Sequence, residues 1–160
     1  MNVVVGVGDC CVTSDPETVL ITYALGSCVG LAIYDPVTHV GGLLHFMLPC
    51  APAGAAESGK SPWIYADSAI PLLFHEAYER GAQRNRIRIS AAGGAHIMDQ
   101  TGVFSIGQRN CVALRKILWK AGIMLTAEDT GGTAARTMRL DIATGRVFLR
   151  SPGDPAEREL

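Results

Sequence analysis

What the 160-residue sequence lacks excludes several classes of protein before any motif is read. Charge of one sign is missing: 14 Lys and Arg stand against 15 Asp and Glu, a net charge of -1. No basic field is available to concentrate nucleic acid or anionic lipid. Arg84, Arg86 and Arg88, the nearest thing to a basic patch, read as a solvated face. Long apolar runs are also missing; none approaches the roughly 20 residues that span a bilayer. The opening Met1-Asn2-Val3-Val4-Val5-Gly6-Val7 has no basic leader and reads as a strand rather than a signal peptide. A plain soluble domain, cytoplasmic, without membrane insertion or a nucleic-acid partner, is the expectation.

Cysteines are present but unpaired in pattern. Cys10, Cys11, Cys28, Cys50 and Cys111 form an odd set with no C-x-x-C spacing, which excludes a disulfide framework and a zinc cluster and predicts reduced thiols. Gly93-Gly94 and Gly131-Gly132 lack the Lys-Ser or Lys-Thr of a phosphate loop and read as turns. Gly6-Val7-Gly8-Asp9 lacks the third glycine of a dinucleotide fingerprint. No His or carboxylate cluster has ligand spacing, so neither cofactor nor metal is expected.

What is there is a chain of short strands. β-Branched apolar runs lie at residues 3–7, 18–23, 29–34 and 43–48, separated by Gly, Pro, Asp and Ser. A polar, small-residue loop fills the stretch from Pro49 to Pro62. Ala66, Ile70, Leu73 and Ala77 then recur at helical spacing, predicting a helix whose first turn is capped by Ser68 and tolerates Pro71, with Gly81 closing it. Cys111, Leu114, Ile117, Leu118 and Ala121 give a second amphipathic helix ending at Gly122. Further strands are predicted at residues 87–92, 123–127, 137–142 and 146–149, the last two joined by Ala143-Thr144-Gly145. The fold class is α+β: one domain over residues 1–150, with largely antiparallel or mixed sheet and two main helices packed outside it. Residues 151–160 are expected to be a disordered tail.

One segment has the makings of a nucleophile. Leu25-Gly26-Ser27-Cys28-Val29 places a cysteine where a strand emerges from a glycine-containing bend, so that backbone amides, with Gly26 and Ser27 supporting, could face its sulfur and later an oxyanion. A cysteine near its ordinary pKa needs a base beside it. Asp35-Pro36-Val37-Thr38 suits a type I turn. A hairpin centred on Pro36 and Val37 would set Cys28 directly opposite His45, with Cβ atoms about 4.5–5.5 Å apart on one sheet face. A slip of one residue would send the imidazole to the other face, and a bulge at Gly41-Gly42 would shift the register. His45 is set among Leu43, Leu44, Phe46, Met47 and Leu48. A buried imidazole needs a partner, and on this pattern alone a core histidine bonded to a carbonyl or hydroxyl is the blander alternative to a catalytic one. Thr22, on the strand entering the bend, could accept from the ring N–H and hold its tautomer, although threonines in strands are commonly just strand formers. His39 falls at the turn, His75 on a helix and His96 in a glycine-rich loop.

At this point the sequence resembles the CheD family, which deamidates chosen glutamines on chemoreceptors. The resemblance runs through Gly6-Val7-Gly8-Asp9, Thr22 with Leu25-Gly26-Ser27-Cys28-Val29, Tyr34-Asp35-Pro36, Gly41 with His45-Phe46-Met47-Leu48-Pro49, Gly93-Gly94-Ala95, Ile106-Gly107-Gln108-Arg109-Asn110 and Glu128-Asp129-Thr130-Gly131-Gly132. It implies a layered sandwich of sheets with helices outside, similar to the catalytic domain of a deamidating bacterial toxin. The family's catalytic cysteine, histidine and orienting threonine fall on Cys28, His45 and Thr22. The activity it implies is hydrolysis of a glutamine side-chain amide through a thioester on Cys28, with a glutamate methyl ester as a second substrate of the same chemistry. The partners it implies are the cytoplasmic domain of a chemoreceptor and a CheC-type phosphatase. A non-catalytic module regulating that phosphatase is the alternative function, and a cysteine protease is a weaker one.

Overall fold

The computed structural model describes residues 1–97 and 105–160. Ten strands form two five-stranded mixed sheets. In chain order they are β1 (Asn2–Val4), β2 (Asp9–Thr13), β3 (Val19–Leu25), β4 (Val29–Tyr34), β5 (Gly41–Phe46), β6 (Arg88–Gly93), β7 (Ala127–Thr130), β8 (Arg136–Asp141), β9 (Val147–Arg150) and β10 (Arg158–Glu159). Two helices, α1 (Ala66–Glu79) and α2 (Ile106–Lys120), accompany them, with a short 3-10 turn at Pro62–Ile64. One sheet has the order β1-β3-β8-β9-β10 and the other β2-β5-β4-β6-β7. Among the described residues, β1–β3 and β6–β7 are the strand pairs that run parallel. The expected α+β sandwich is what the chain adopts.

Alternation along the strands sorts the apolar side chains into two layers. Leu20, Leu25, Ala32, Leu43, Met138, Leu140 and Leu149 pack between the sheets. Leu31, Ile33, Leu44 and Phe46, from the opposite faces of β4 and β5, pack with Ile70, Leu73, Leu114 and Leu118 of the helices. Both central strands are therefore buried on both faces, which is why β4 and β5 carry almost no polar residue.

Several elements differ from expectation for identifiable reasons. α1 starts a turn earlier than Ser68. The carbonyl of Leu48 receives the Ala66 N–H at 2.8 Å, and Ser68 lies inside the helix with its hydroxyl donated to the Pro62 carbonyl at 2.6 Å. Pro71 is consequently interior rather than in the first turn. β2 was not expected, because its Asp9-Cys10-Cys11 start follows glycine punctuation and an edge strand is only half-buried. β7 begins where the expected strand at 123–127 ended, since Ile123 and Leu125 owe their apolar character to packing under the helices. The expected tail at 151–160 ends in β10, which pairs with β9. There Arg139 and Arg146 reach Glu157 and Glu159, each at 2.7 Å, a form of attachment with no apolar signature. The arginines read as a solvated face also have separate duties: Arg86 meets Asp35 at 2.7 Å, Arg88 lies 5.5 Å from the centre of the Tyr34 ring, and Arg84 reaches the Ala121 carbonyl.

The β4–β5 hairpin is the largest correction. Its loop spans residues 35–40, not a two-residue turn, because the fully buried Asp35 carboxylate accepts the Val37 N–H at 2.8 Å and the Gln83 N–H at 2.9 Å while also pairing with Arg86. Burial alone would raise the Asp35 pKa, but Arg86 and these amides outweigh it and hold the carboxyl well below its usual range. Gly41-Gly42, which could have hosted a bulge, pairs regularly with Tyr34 and Ile33. The irregularity lies instead in β3 between Thr22 and Leu25, where Ala24 adopts φ 57°.

Candidate active site

In the longer hairpin His45 pairs with Gly30, and Val29 with Phe46. The register is thus displaced by two residues from a direct Cys28–His45 pair. An even displacement preserves the face: Cys28 sits diagonally from His45, and both belong to the layer between the sheets, where Cys28 packs at the edge of the apolar cluster. The bulge in β3 turns Thr22 and Leu25 inward and leaves Tyr23 and Ala24 outside, and so delivers Thr22 to the same layer.

His45 is 1% exposed and Thr22 fully buried. The Thr22 hydroxyl lies 2.7 Å from the Val5 carbonyl oxygen and 2.7 Å from Nδ1 of His45. A carbonyl can only accept, so the single hydroxyl proton goes to Val5, and Nδ1 must carry the proton that Thr22 accepts. This fixes the tautomer, leaving the Nε2 lone pair bare. That atom is buried and has no hydrogen-bond partner among the described residues. Burial depresses the His45 pKa to about 4, so the ring is neutral at physiological pH. The Cys28 thiol is half-buried. Burial raises its pKa, opposed by its own backbone amide. The resting pair is accordingly a neutral thiol and a neutral imidazole, not a preformed ion pair.

The bend at Gly26-Ser27-Cys28 is held by its carbonyls. Gly26 O accepts from the Ala95 amide and Cys28 O from the Gly94 amide, each at 2.8 Å. Such proximity explains the glycine pair first read as a turn: a Cβ at Gly93 would stand 2.2 Å from the Cys28 oxygen. Ser27 lines a small pocket of about 270 Å³ with Ala95, His96, Ile97, Ser105 and Gly107. A groove of about 560 Å³ beside α2 is lined by Pro49, Gln108, Val112 and Lys116 rather than by Cys28 or His45. His39 and His96 are exposed and His75 faces Glu79 on α1; the structure does not bring them to Cys28. Sequence reasoning missed Asn110, which is fully buried and donates from Nδ2 to the carbonyls of Ser27 and Met47, each at 2.9 Å. Its signal was available: it lies on the apolar stripe of α2, one turn before Leu114.

Comparison with known proteins adds an independent line. The family model described as CheD chemotactic sensory transduction matches residues 47–151. The chain belongs to the CheD family. A CheD protein of Solibacter usitatus, named a probable chemoreceptor glutamine deamidase, is 52% identical over 156 residues, covering 98% of this chain and 92% of its own length. One from Syntrophus aciditrophicus, with the same designation, is 46% identical over 159 residues and covers 99% of both chains. The chemoreceptor glutamine deamidase CheD of Thermotoga maritima is 39% identical over 160 residues, covering 100% of this chain and 98% of its own. The family model begins after Thr22, Cys28 and His45, but the Thermotoga match runs across all three positions. No helix among the described residues is long and apolar enough to cross a membrane.

Proposed function

We propose that this chain is a chemoreceptor glutamine deamidase in which Cys28 is the nucleophile, His45 carries the proton and Thr22 positions the imidazole. The observation that carries the reading is the bare, buried Nε2 of His45, whose tautomer Thr22 and Val5 dictate, on the same sheet face as a half-buried thiol. The full-length relatives named as such deamidases supply the substrate class.

His45 Nε2 takes the Cys28 proton as sulfur attacks the carboxamide carbon of a receptor glutamine. The carbonyl π pair moves to oxygen, giving a tetrahedral oxyanion that the Cys28 backbone amide stabilises, such a donor contributing on the order of 3 kcal/mol; the Gly26 amide is committed to the Ala24 carbonyl at 2.9 Å and takes no part. His45 returns the proton to nitrogen as the C–N bond breaks, and ammonia leaves a thioester. Neutral His45 then removes a proton from water, hydroxide adds to the thioester, and the thiolate departs to be reprotonated, leaving glutamate. A glutamate methyl ester would follow the same path with methanol as leaving group. The substrate side of the membrane makes this a cytoplasmic activity.

The test incubates the protein with a receptor cytoplasmic fragment and reads glutamine-to-glutamate conversion by peptide mass spectrometry. Conversion lost in Cys28→Ala supports the assignment, and conversion that survives it overturns the nucleophile. A tight complex with a CheC-type phosphatase and no conversion by the unchanged chain would favour the regulatory reading instead.

A further inference from the structure

We propose that Asn110 is a positioning residue for this reaction: by holding the Ser27 carbonyl from α2, it aims the Cys28 backbone amide at the developing oxyanion. The inference rests on the deamidase reading and adds to it the element that sets the oxyanion donor.

Three consecutive carbonyls of the bend are fastened. Gly26 and Cys28 are held by the amides of Ala95 and Gly94, and Ser27, between them, by Nδ2 of Asn110. The described chain has no cis peptide bond. In a trans peptide the C=O and the following N–H point in opposite directions. Fixing Ser27 O against α2 therefore turns the Cys28 N–H away from Asn110, and this amide belongs to the residue whose sulfur attacks, next to which the oxyanion would arise.

The second Nδ2 hydrogen goes to Met47 O, two residues beyond His45. One side chain thus ties the nucleophile's bend to the strand end that bears the base. Both hydrogens being committed to carbonyls fixes the amide orientation, since the flipped form would set Oδ1 against two oxygens. Oδ1 is buried without a partner among the described residues. An apolar side chain at this position of the helix stripe would not incur that cost, which argues for a role beyond packing. The approach of α2 is close by construction: a Cβ at Gly107 would lie 2.3 Å from the Ala95 oxygen, and one at Gly94 2.2 Å from Cys111 Sγ.

The test compares Asn110→Leu and Asn110→Asp with the unchanged full chain. Three readouts are taken: kcat and KM for deamidation of a receptor fragment, the pH profile of Cys28 alkylation by iodoacetamide resolved by peptide mass spectrometry, and the melting temperature. Asn110→Leu is expected to lower kcat by about 10²- to 10³-fold, as loss of an oxyanion donor does, with KM within about threefold, and to move the alkylation midpoint to higher pH because the thiolate loses its amide. In Asn110→Asp only the protonated carboxyl can donate, so its kcat relative to the unchanged chain should rise as pH falls. A folded Asn110→Leu protein with kcat within threefold, or with a kcat loss and an unmoved alkylation midpoint, overturns the proposal. Should the leucine variant not fold, a pH-independent ratio for Asn110→Asp overturns it. The alkylation profile needs no receptor, so failure of the deamidase reading, seen as no conversion by the unchanged chain, is distinguishable from failure of this one.

Discussion

The two ends of the β4–β5 hairpin repeat one hydrogen-bond arrangement with different results. At the closed end the Tyr34 hydroxyl lies 3.0 Å from the Ile142 carbonyl and 2.8 Å from Nδ1 of His39. At the open end Thr22 stands in the same relation to Val5 and His45. In both, a hydroxyl gives its proton to a carbonyl and accepts from an imidazole, so the tautomer is set identically. What differs is the surroundings: His39 is exposed on a loop, whereas His45 is enclosed with its second nitrogen bare and a thiol on the same face. A hydroxyl–histidine pair is therefore not a catalytic sign. Enclosure of the free nitrogen on the same sheet face as a thiol is the distinguishing property.

The comparison breaks most directly at the histidines. His45→Gln should lower deamidation kcat by on the order of 10³-fold, the share of a proton carrier, while His39→Gln should leave it within twofold, both read by ammonia release. Equal losses would abolish the distinction.

Acid titration should separate the ends next. The His45 pKa is lowered from 6.5 to about 4 in the folded chain, so between those values the unfolded state binds the extra proton and the folded state does not. Stability is then full above pH 6.5 and falls as pH drops toward about 4, by on the order of 3 kcal/mol in total. Urea midpoints across this window should show the slope, and His45→Gln should flatten it. Below that window the depressed Asp35 carboxyl adds a further loss as it protonates.

The register of this hairpin measures how far the sequence could be read. Cys28 was legible from the glycine bend and His45 from its place in an otherwise apolar strand. Their sharing a face survived a loop longer than Asp35-Pro36-Val37-Thr38 suggests, because the error was even. The loop length itself was not legible: it depends on Asp35 meeting Gln83 and Arg86, which lie far along the chain. Thr22 as the histidine's partner was open from its place on the strand entering the bend and was singled out by the family resemblance, since threonines in strands are commonly just strand formers. The sheets were legible wherever β-branched runs were bounded by turns. β2 and β10 were not, one being a half-buried edge and the other held by charge.

A smaller contrast compares the hydroxyls. Thr22→Val leaves the His45 Nδ1–H unpartnered and should reduce kcat about ten- to thirtyfold, corresponding to roughly 1–2 kcal/mol. Tyr34→Phe should cost about 1 kcal/mol of stability, seen as a lower melting temperature, with kcat unchanged. The smallest effect concerns the backbone. Ala24 and His39 are the non-glycine residues with positive φ among the described residues, at 57° and 58°. Ala24→Gly should relieve the left-handed penalty and raise stability by about 0.5 kcal/mol in thermal melts, net of the added freedom of the unfolded chain.

The attachment of β10 has a consequence for how the molecule meets its neighbours. Its arginine–glutamate contacts are partly open to solvent and lose strength as ionic strength rises. Peeling away two residues of strand would uncover a row of unpaired amides and carbonyls along β9, a template onto which another chain can add. Ionic strength is thus the variable to which the cover on the β9 edge is tied, and the C-terminal segment is the selvedge of this sheet.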